Sequence, residues 1–254
     1  MKLLPRLDLF AGSKPRWRGL PAAALLLAGL AAARALPAAE LPEQVAARAE
    51  MVETQLRDRG IDDQAVLSAM GAVPRQLFVP AELVSEAYAD LAIPFGKGQS
   101  IHQPYLVALM TSLLELDRGA KVLEIGTGSG YHTAVLAKLA FQVFSIEIDA
   151  DTAALARKNL AAAGVKNAHV RTGDGYQGWP EEEPFDAIIL TAAPPRVPQP
   201  LLDQLRVKGK MVLPEGDASQ NLVVITKTED GYERRTTVPV KVTPMTGKVR
   251  KGPG

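Results

Sequence analysis

The chain has no cysteine among its 254 residues. This absence excludes disulfide bonds, thiolate metal sites and a cysteine nucleophile. Histidine is nearly as scarce, because His102, His132 and His169 are the only three and none of them forms an H-x-x-H pair. We therefore predict no metal site. The chain also has no large excess of charge of one sign, since its formal net charge is +1. No broad electrostatic field therefore favours nucleic acid or acidic lipid.

Residues 1–39 differ in composition from the rest of the chain. Basic residues between Lys2 and Arg18 precede an uncharged apolar run from Leu20 to Ala33, and small residues follow. This order is typical of a signal peptide, although the apolar run is short for a membrane span. The alternative is a disordered leader. In both cases we exclude residues 1–39 from the fold and predict no stable membrane association for the remainder.

The remainder, 40–254, is predicted to form one globular α/β domain. Helical periodicity predicts helices at 41–59, from Asp62 or Asp63 to Met70, and at 104–116, 131–140, 150–163 and 198–206. Apolar runs predict strands at 121–125, 142–148, 168–172, 185–191, 210–213, 221–228 and 232–240. Segment 80–103, rich in proline and glycine, is predicted as loop.

This alternation indicates a Rossmann-like, doubly wound sheet of seven mostly parallel strands. The last three strands follow one another through short turns, which indicates an antiparallel C-terminal edge. N-terminal helices up to residue 118 are expected to cap a core at 119–254.

The most informative motif is the glycine turn after the first of these strands. Gly126, Gly128 and Gly130 separate this strand from a helix, an arrangement that presents backbone N–H groups to a nucleotide-like ligand. A dinucleotide fingerprint is G-x-G-x-x-G, but here the third glycine comes one residue early. With Glu124 two residues before the first glycine, the motif reads E-x-G-x-G-x-G, which resembles the first motif of class I S-adenosylmethionine (AdoMet) methyltransferases.

Further ligand contacts are expected at the carboxyl ends of the neighbouring strands. Glu147 follows Gly130 by 17 residues and is predicted to accept hydrogen bonds from the ribose hydroxyls. Asp174 is predicted to accept from the adenine amino group, or else to form a plain turn. Gly175 lets the backbone approach the ligand, and Ser129 can contribute a hydroxyl.

The expected roles of two other polar residues near the glycines are less specific. Glu124 is expected to accept loop N–H groups, to meet the cationic end of the cofactor, or to make a purely structural hydrogen bond. His132 lies in the first turn of a helix, where positive charge is disfavoured. It is predicted to be neutral and non-catalytic.

Five separated stretches together resemble the protein-L-isoaspartate (D-aspartate) O-methyltransferase family over about residues 42 to 249. They are the segments 73–80, 96–105, 122–131, 173–179 and 184–195. The resemblance implies AdoMet as cofactor and isoaspartyl-containing proteins and peptides as partners. It implies methylation of the free α-carboxylate of L-isoaspartyl and D-aspartyl residues, followed by repair through a succinimide. It also implies a cofactor contact at Thr246, within a C-terminal segment that returns to the pocket.

The substrate loop contains the main departure from the family pattern. The family has Thr/Ser-Ile-Ser-x-Pro there, and its second serine is the residue usually marked as the active site. This chain has His102 at that position, within the loop Ser100, Ile101, His102, Gln103 and Pro104. An imidazole can donate a hydrogen bond to the substrate carboxylate. Alternatively, Ser100 supplies the hydroxyl, the substrate differs, or activity is lost.

The alternatives that follow are a class I methyltransferase for another carboxylate or a small molecule, and a non-catalytic AdoMet-binding protein. An NAD-dependent oxidoreductase is disfavoured by the glycine spacing. We predict a cytoplasmic location because AdoMet is made there, with export to the periplasm as the alternative if residues 1–39 are a signal peptide. The sequence does not reveal an oligomeric state, and a monomer is favoured.

Overall fold

The computed structural model describes residues 40–250. The predicted leader, 1–39, lies outside the described residues. Residues 40–250 belong to one packed unit, within which the boundary near residue 118 stays a prediction. No helix in the described part of the chain is long and apolar enough to cross a bilayer.

Within residues 40–250, nine strands form two sheets. In chain order they are β1 (Ile93–Gly96), β2 (Gln99–Ile101), β3 (Lys121–Ile125), β4 (Gln142–Glu147), β5 (Ala168–Thr172), β6 (Phe185–Leu190), β7 (Leu205–Glu215), β8 (Gln220–Lys227) and β9 (Tyr232–Val240). The large sheet has the order β5-β4-β3-β6-β7-β8-β9. Strands β3 to β7 pair in parallel, and β8 and β9 add the antiparallel edge. The predicted seven-stranded, doubly wound fold is confirmed.

The described part of the chain also contains six α-helices. They are α1 (Pro42–Glu50), α2 (Gln64–Ala72), α3 (Pro104–Ser112), α4 (Tyr131–Leu139), α5 (Ala150–Ala162) and α6 (Gln199–Asp203). The helix predicted at 41–59 is continuous, but after Glu50 it becomes a π-helix over Met51–Leu56 and a 3-10 turn over Arg57–Arg59. Gly60, at φ +89°, ends it. Two aspartates cap helices, because Asp63 accepts hydrogen bonds from the start of α2 and Asp149 from that of α5.

Two parts of the prediction were wrong. The strand predicted at 210–213 begins at Leu205 and shortens the preceding helix to α6. Its first residues are mostly exposed, so no apolar run reveals them. Segment 80–103 also contains a β1–β2 hairpin. Its turn places Lys97 at φ +52° and Gly98 at φ +71°, and a tight hairpin turn needs such a backbone.

Both faces of the sheet are buried. On one face of β3, Leu123 belongs to a core that includes Leu201 of α6. On the opposite face, Val122 packs in a core with Met110 of α3 and Leu136 of α4. The chain runs from β3 outward to β4 and β5 and then returns to β6 on the other side of β3. This switch point opens a crevice at the carboxyl ends of β3, β4 and β6, where ligands bind in such folds.

Candidate active site

A cavity of about 320 Å³ occupies this crevice. Its walls come from seven segments of the described chain. They are the β1–β2 hairpin with the loop after it, Val107 of α3, the glycine turn with the start of α4, the end of β4, Gly175 after β5, the end of β6, and residues 243–246. A volume of this size is typical of small-molecule sites.

The first two glycines of the turn shape the cavity wall. A Cβ at Gly126, which has φ +97°, would overlap the Thr191 hydroxyl at the end of β6. Gly128, at φ +54°, lies opposite the Phe95 ring. Both glycines line the cavity, as does Ser129. The turn therefore holds its backbone against the open space.

The third glycine has a different place. Gly130 is not among the cavity-lining residues, and a Cβ built on it would lie 3.2 Å from Leu160 Cγ and 3.4 Å from the Ala156 carbonyl oxygen. Both neighbours belong to α5. Gly130 thus allows the glycine turn to pack closely on α5, and its predicted contact with the cofactor stays a prediction.

Glu147 is the acidic residue at the end of β4. Its side chain lines the cavity although the residue is only 2% exposed. Its Oε2 accepts the Gly128 N–H at 2.9 Å and its Oε1 accepts the Asp149 N–H at 3.1 Å. The carboxylate is therefore fixed against the glycine turn.

Glu124 lies beneath the turn, is fully buried and is not among the cavity-lining residues, and its hydrogen bonds match the structural alternative considered from sequence. Its Oε2 accepts the hydroxyls of Thr133 and Ser145, the latter at 2.6 Å. Ser145 Oγ lies 2.6 Å from Thr127 Oγ1. Since Ser145 donates to Glu124, Thr127 donates to Ser145, and this chain of hydroxyls links the turn to Glu124. Burial raises the pKa of Glu124 to about 7.

Asp174 and Gly175 follow β5. Gly175 lines the cavity, and a Cβ there would overlap the Ile125 side chain. Asp174 is not a lining residue; its two carboxylate oxygens accept the Tyr176 N–H at 2.9 Å and the Lys248 N–H at 2.7 Å. The geometry matches the turn alternative, and the adenine contact stays a prediction.

Thr246 lines the cavity together with the three residues before it. This segment lies beside β6, because the Ala193 N–H donates to the Thr243 carbonyl at 2.9 Å and the Met245 N–H donates to the Ala193 carbonyl at 2.7 Å. The C-terminal segment thus returns to the site.

The substrate loop divides into two parts. Ser100, Ile101 and His102 line the cavity. Gln103 and Pro104 do not: the Gln103 amide donates to Asp90 Oδ1 at 2.7 Å, and Pro104 is buried as the first residue of α3. These two residues anchor the loop.

His102 is held and influenced by Arg75. The buried Arg75 guanidinium donates to the His102 carbonyl at 2.9 Å and to the Ala87 carbonyl at 2.8 Å. It lies 4.5 Å from the centre of the Tyr131 ring. Burial, and then the charge of Arg75, lower the pKa of His102 to about 4, so the imidazole is neutral at pH 7.

His132 also lines the cavity, a position that its place in a helical first turn did not reveal. Its Nε2 lies 2.9 Å from Thr111 Oγ1. Burial, and then His102, lower the pKa of His132 to about 3. The predicted neutral state agrees with this shift.

The β1–β2 hairpin contributes part of the cavity wall. Lys97 lines the cavity, and its ammonium reaches Asp149 at 2.7 Å and Asp151 at 2.9 Å. Within the described residues, no group of three His, Asp or Glu side chains is placed to hold a metal ion.

Comparison with known proteins places this site in a family. The family model for protein-L-isoaspartate (D-aspartate) O-methyltransferase matches residues 46–250. The chain belongs to this family. The sequence-based identification is therefore confirmed.

Curated relatives agree over most of their length. The chain is 52% identical to the protein-L-isoaspartate O-methyltransferase of Synechococcus sp. (strain JA-2-3B'a(2-13)) over 206 residues, which cover 78% of this chain and 84% of the relative. It is 50% identical to protein-L-isoaspartate O-methyltransferase 2 of Shewanella sediminis, with coverages of 87% and 91%.

A solved structure supports the fold. A Plasmodium falciparum structure, described as a protein-L-isoaspartate O-methyltransferase in complex with S-adenosyl-L-homocysteine, matches with a TM-score of 0.70 and 26% identity. The match covers 78% of this chain and 98% of that one.

Proposed function

We propose that this chain transfers a methyl group from AdoMet to the free α-carboxylate of L-isoaspartyl residues, and to the free carboxylate of D-aspartyl residues, in damaged proteins, which initiates repair through a succinimide. The observation that carries the proposal is that one cavity joins the glycine turn to the substrate loop in a chain of this family.

The cavity residues fit AdoMet. A Cβ at Gly126 would overlap the Thr191 side chain and one at Gly175 would overlap Ile125, so glycine is required at both places for the backbone to line the cavity. Glu147 presents a fixed carboxylate at the strand end where ribose hydroxyls are bound in related folds. We propose that Gly126, Gly128, Ser129, Glu147, Gly175 and Thr246 hold the cofactor. Gly130 would contribute through the shape of the turn.

AdoMet, when bound, supplies an electrophilic methyl group on a sulfonium. The acceptor carboxylate has an ordinary pKa of about 4, so it is ionised at neutral pH and needs no general base. The work of the protein is to orient this carboxylate and exclude water, and orientation alone is worth roughly 7–11 kcal/mol of the barrier.

We assign this orienting role to the loop Ser100–Pro104. Because the pKa of His102 is about 4, its neutral imidazole would act as a hydrogen-bond donor to the carboxylate rather than as a cation. Ser100 lies next to it and offers a hydroxyl. Ile101 supplies apolar wall, while Gln103 and Pro104 keep the loop in place.

The proposal is tested with labelled AdoMet, an isoaspartyl peptide and its aspartyl twin. We expect a base-labile methyl on the isoaspartyl peptide only. The variant H102A should lower kcat/KM on this peptide, and H169Q, which changes an exposed histidine outside the cavity, should not. Methyl transfer to neither peptide, with AdoMet still bound, would instead indicate a non-catalytic AdoMet-binding protein.

Expectations on location, assembly and partners accompany the function. We propose the cytoplasm as the compartment and a monomer as the working unit, with isoaspartyl proteins and peptides as partners and no nucleic acid. N-terminal sequencing of the protein from its native cell would show whether residues 1–39 are removed, and export would contradict the cytoplasmic assignment.

A further inference from the structure

The cavity contains one buried polar atom that the proposed chemistry leaves without a partner. His132 is 6% exposed, lines the cavity, and has no hydrogen-bond partner for its Nδ1 among the described residues. A buried polar atom without a partner costs free energy. It therefore indicates a ligand group that satisfies it.

The hydrogen bond on the other ring nitrogen identifies which kind of group this is. Thr111 Oγ1 donates its only hydrogen to the Val107 carbonyl at 2.7 Å. Its contact with His132 Nε2 at 2.9 Å therefore requires Nε2 to carry the proton. In a neutral imidazole, Nδ1 is then an acceptor. The missing partner is a donor.

The neighbours of His132 place this acceptor at the substrate end of the cavity. Thr111 and Val107 both belong to α3, which follows the substrate loop directly. His102 of that loop lines the same cavity as His132 and contributes to the lowered pKa of His132. The ribose-side carboxylate, Glu147, lies at the end of β4 and contacts the glycine turn instead.

We propose that His132 Nδ1 accepts a hydrogen bond from the peptide N–H of the isoaspartyl residue itself. This inference rests on the proposed function. In an isoaspartyl residue, the amide nitrogen and the free carboxylate are bonded to the same carbon. A site that holds the carboxylate at His102 brings the N–H toward His132. The two histidines then recognise adjacent groups of one residue.

The test combines a change in the enzyme with a change in the substrate. We compare an isoaspartyl peptide with the same peptide methylated on the isoaspartyl nitrogen, which lacks the donor. In the wild type, N-methylation should lower kcat/KM roughly tenfold, the effect of losing one hydrogen bond to a buried acceptor. In H132L this penalty should disappear. H132Q keeps an acceptor and should retain the penalty, and H169Q serves as the matched histidine control.

Four outcomes decide the proposal. A penalty that is lost in H132L and kept in H132Q supports it, whereas an equal penalty in the wild type and H132L overturns it. The proposal is also overturned if H132L loses affinity for S-adenosyl-L-homocysteine (AdoHcy) by the same factor by which it loses kcat/KM. Nδ1 would then bind the cofactor and not the substrate. If the wild type methylates no isoaspartyl peptide but binds AdoHcy, the proposed function itself fails.

A second measurement does not depend on the folding of H132L. In wild-type protein with 15N-labelled histidine and bound AdoHcy, addition of the isoaspartyl peptide should shift the Nδ1 resonance of His132, and the N-methylated peptide should not. Equal shifts with both peptides, or none with either at saturation, would contradict the hydrogen bond.

Discussion

The Lys97 ammonium lies 2.7 Å from both carboxylate oxygens of Asp149. This ion pair joins the turn of the β1–β2 hairpin to the N-cap of α5, and both of its residues line the cavity. It is exposed to solvent, so its contribution is modest and decreases with salt.

We expect K97M to accelerate release of AdoHcy, because the hairpin loses its tie to α5. Stopped-flow measurements should show an increase of roughly two- to fivefold at low salt. The difference from wild type should shrink in high salt. K166M, which changes an exposed lysine outside the cavity, is the control; an unchanged release rate in K97M would show that the hairpin is held by other contacts.

Replacement of Arg75 should raise the pKa of His102. Burial is the main cause of the low pKa of His102, and the guanidinium charge lowers it further. In R75Q this pKa should therefore rise from about 4 but stay below the ordinary value of 6.5. An NMR titration of His102 measures it. R118Q removes an exposed arginine and should leave the titration unchanged. No movement in R75Q would mean that burial accounts for the whole shift.

Glu124 should make the stability of the protein depend on pH. Its pKa is raised from 4.5 to about 7 in the folded state, so folding is disfavoured increasingly as pH rises from 4.5 through 7. E124Q can keep the hydroxyl contacts without the charge. We expect its stability relative to wild type to improve between pH 5 and pH 8 by on the order of 3 kcal/mol.

Urea unfolding at the two pH values measures this difference for E124Q. E229Q, at an exposed turn, is the matched control and should show little pH dependence of its own. A constant difference between E124Q and wild type across the range would contradict the raised pKa.

A comparison of alanine substitutions at Gly130 and Gly164 distinguishes the cost of backbone strain from the cost of overpacking. Both have positive φ, +92° and +70°, but a Cβ on Gly164 meets nothing within 4 Å, whereas one on Gly130 presses on Leu160. G164A should cost roughly 1–2 kcal/mol of unfolding free energy from the backbone alone. G130A should cost roughly 1–3 kcal/mol more because of overpacking. Equal costs in urea unfolding would mean that α5 moves away freely.

The fold was largely predictable because its signals are local. β3, β4 and β6 are nearly continuous apolar runs, and glycines or aspartates mark the helix ends. The start of β7 was missed because its residues are mostly exposed. The β1–β2 hairpin was missed because its pairing partners lie among prolines and glycines.

The site was predictable where one segment carries the whole signal, as in the glycine turn. It was not predictable where distant segments meet. The position of His132 depends on α3, and the contacts of Asp174 depend on Lys248, 74 residues further along the chain. Glu124 illustrates the same limit, because its hydroxyl partners come from β4 and α4.

The distribution of the cavity walls along the chain has a thermodynamic consequence. Segments as far apart as Phe95 and Thr246 enclose the same space, so the binding surface exists only when these long-range contacts are all formed. A ligand bound there stabilises the native state against global unfolding, by about 2.7 kcal/mol when its free concentration is one hundred times its Kd. The supply of cofactor and the lifetime of this protein are thereby linked.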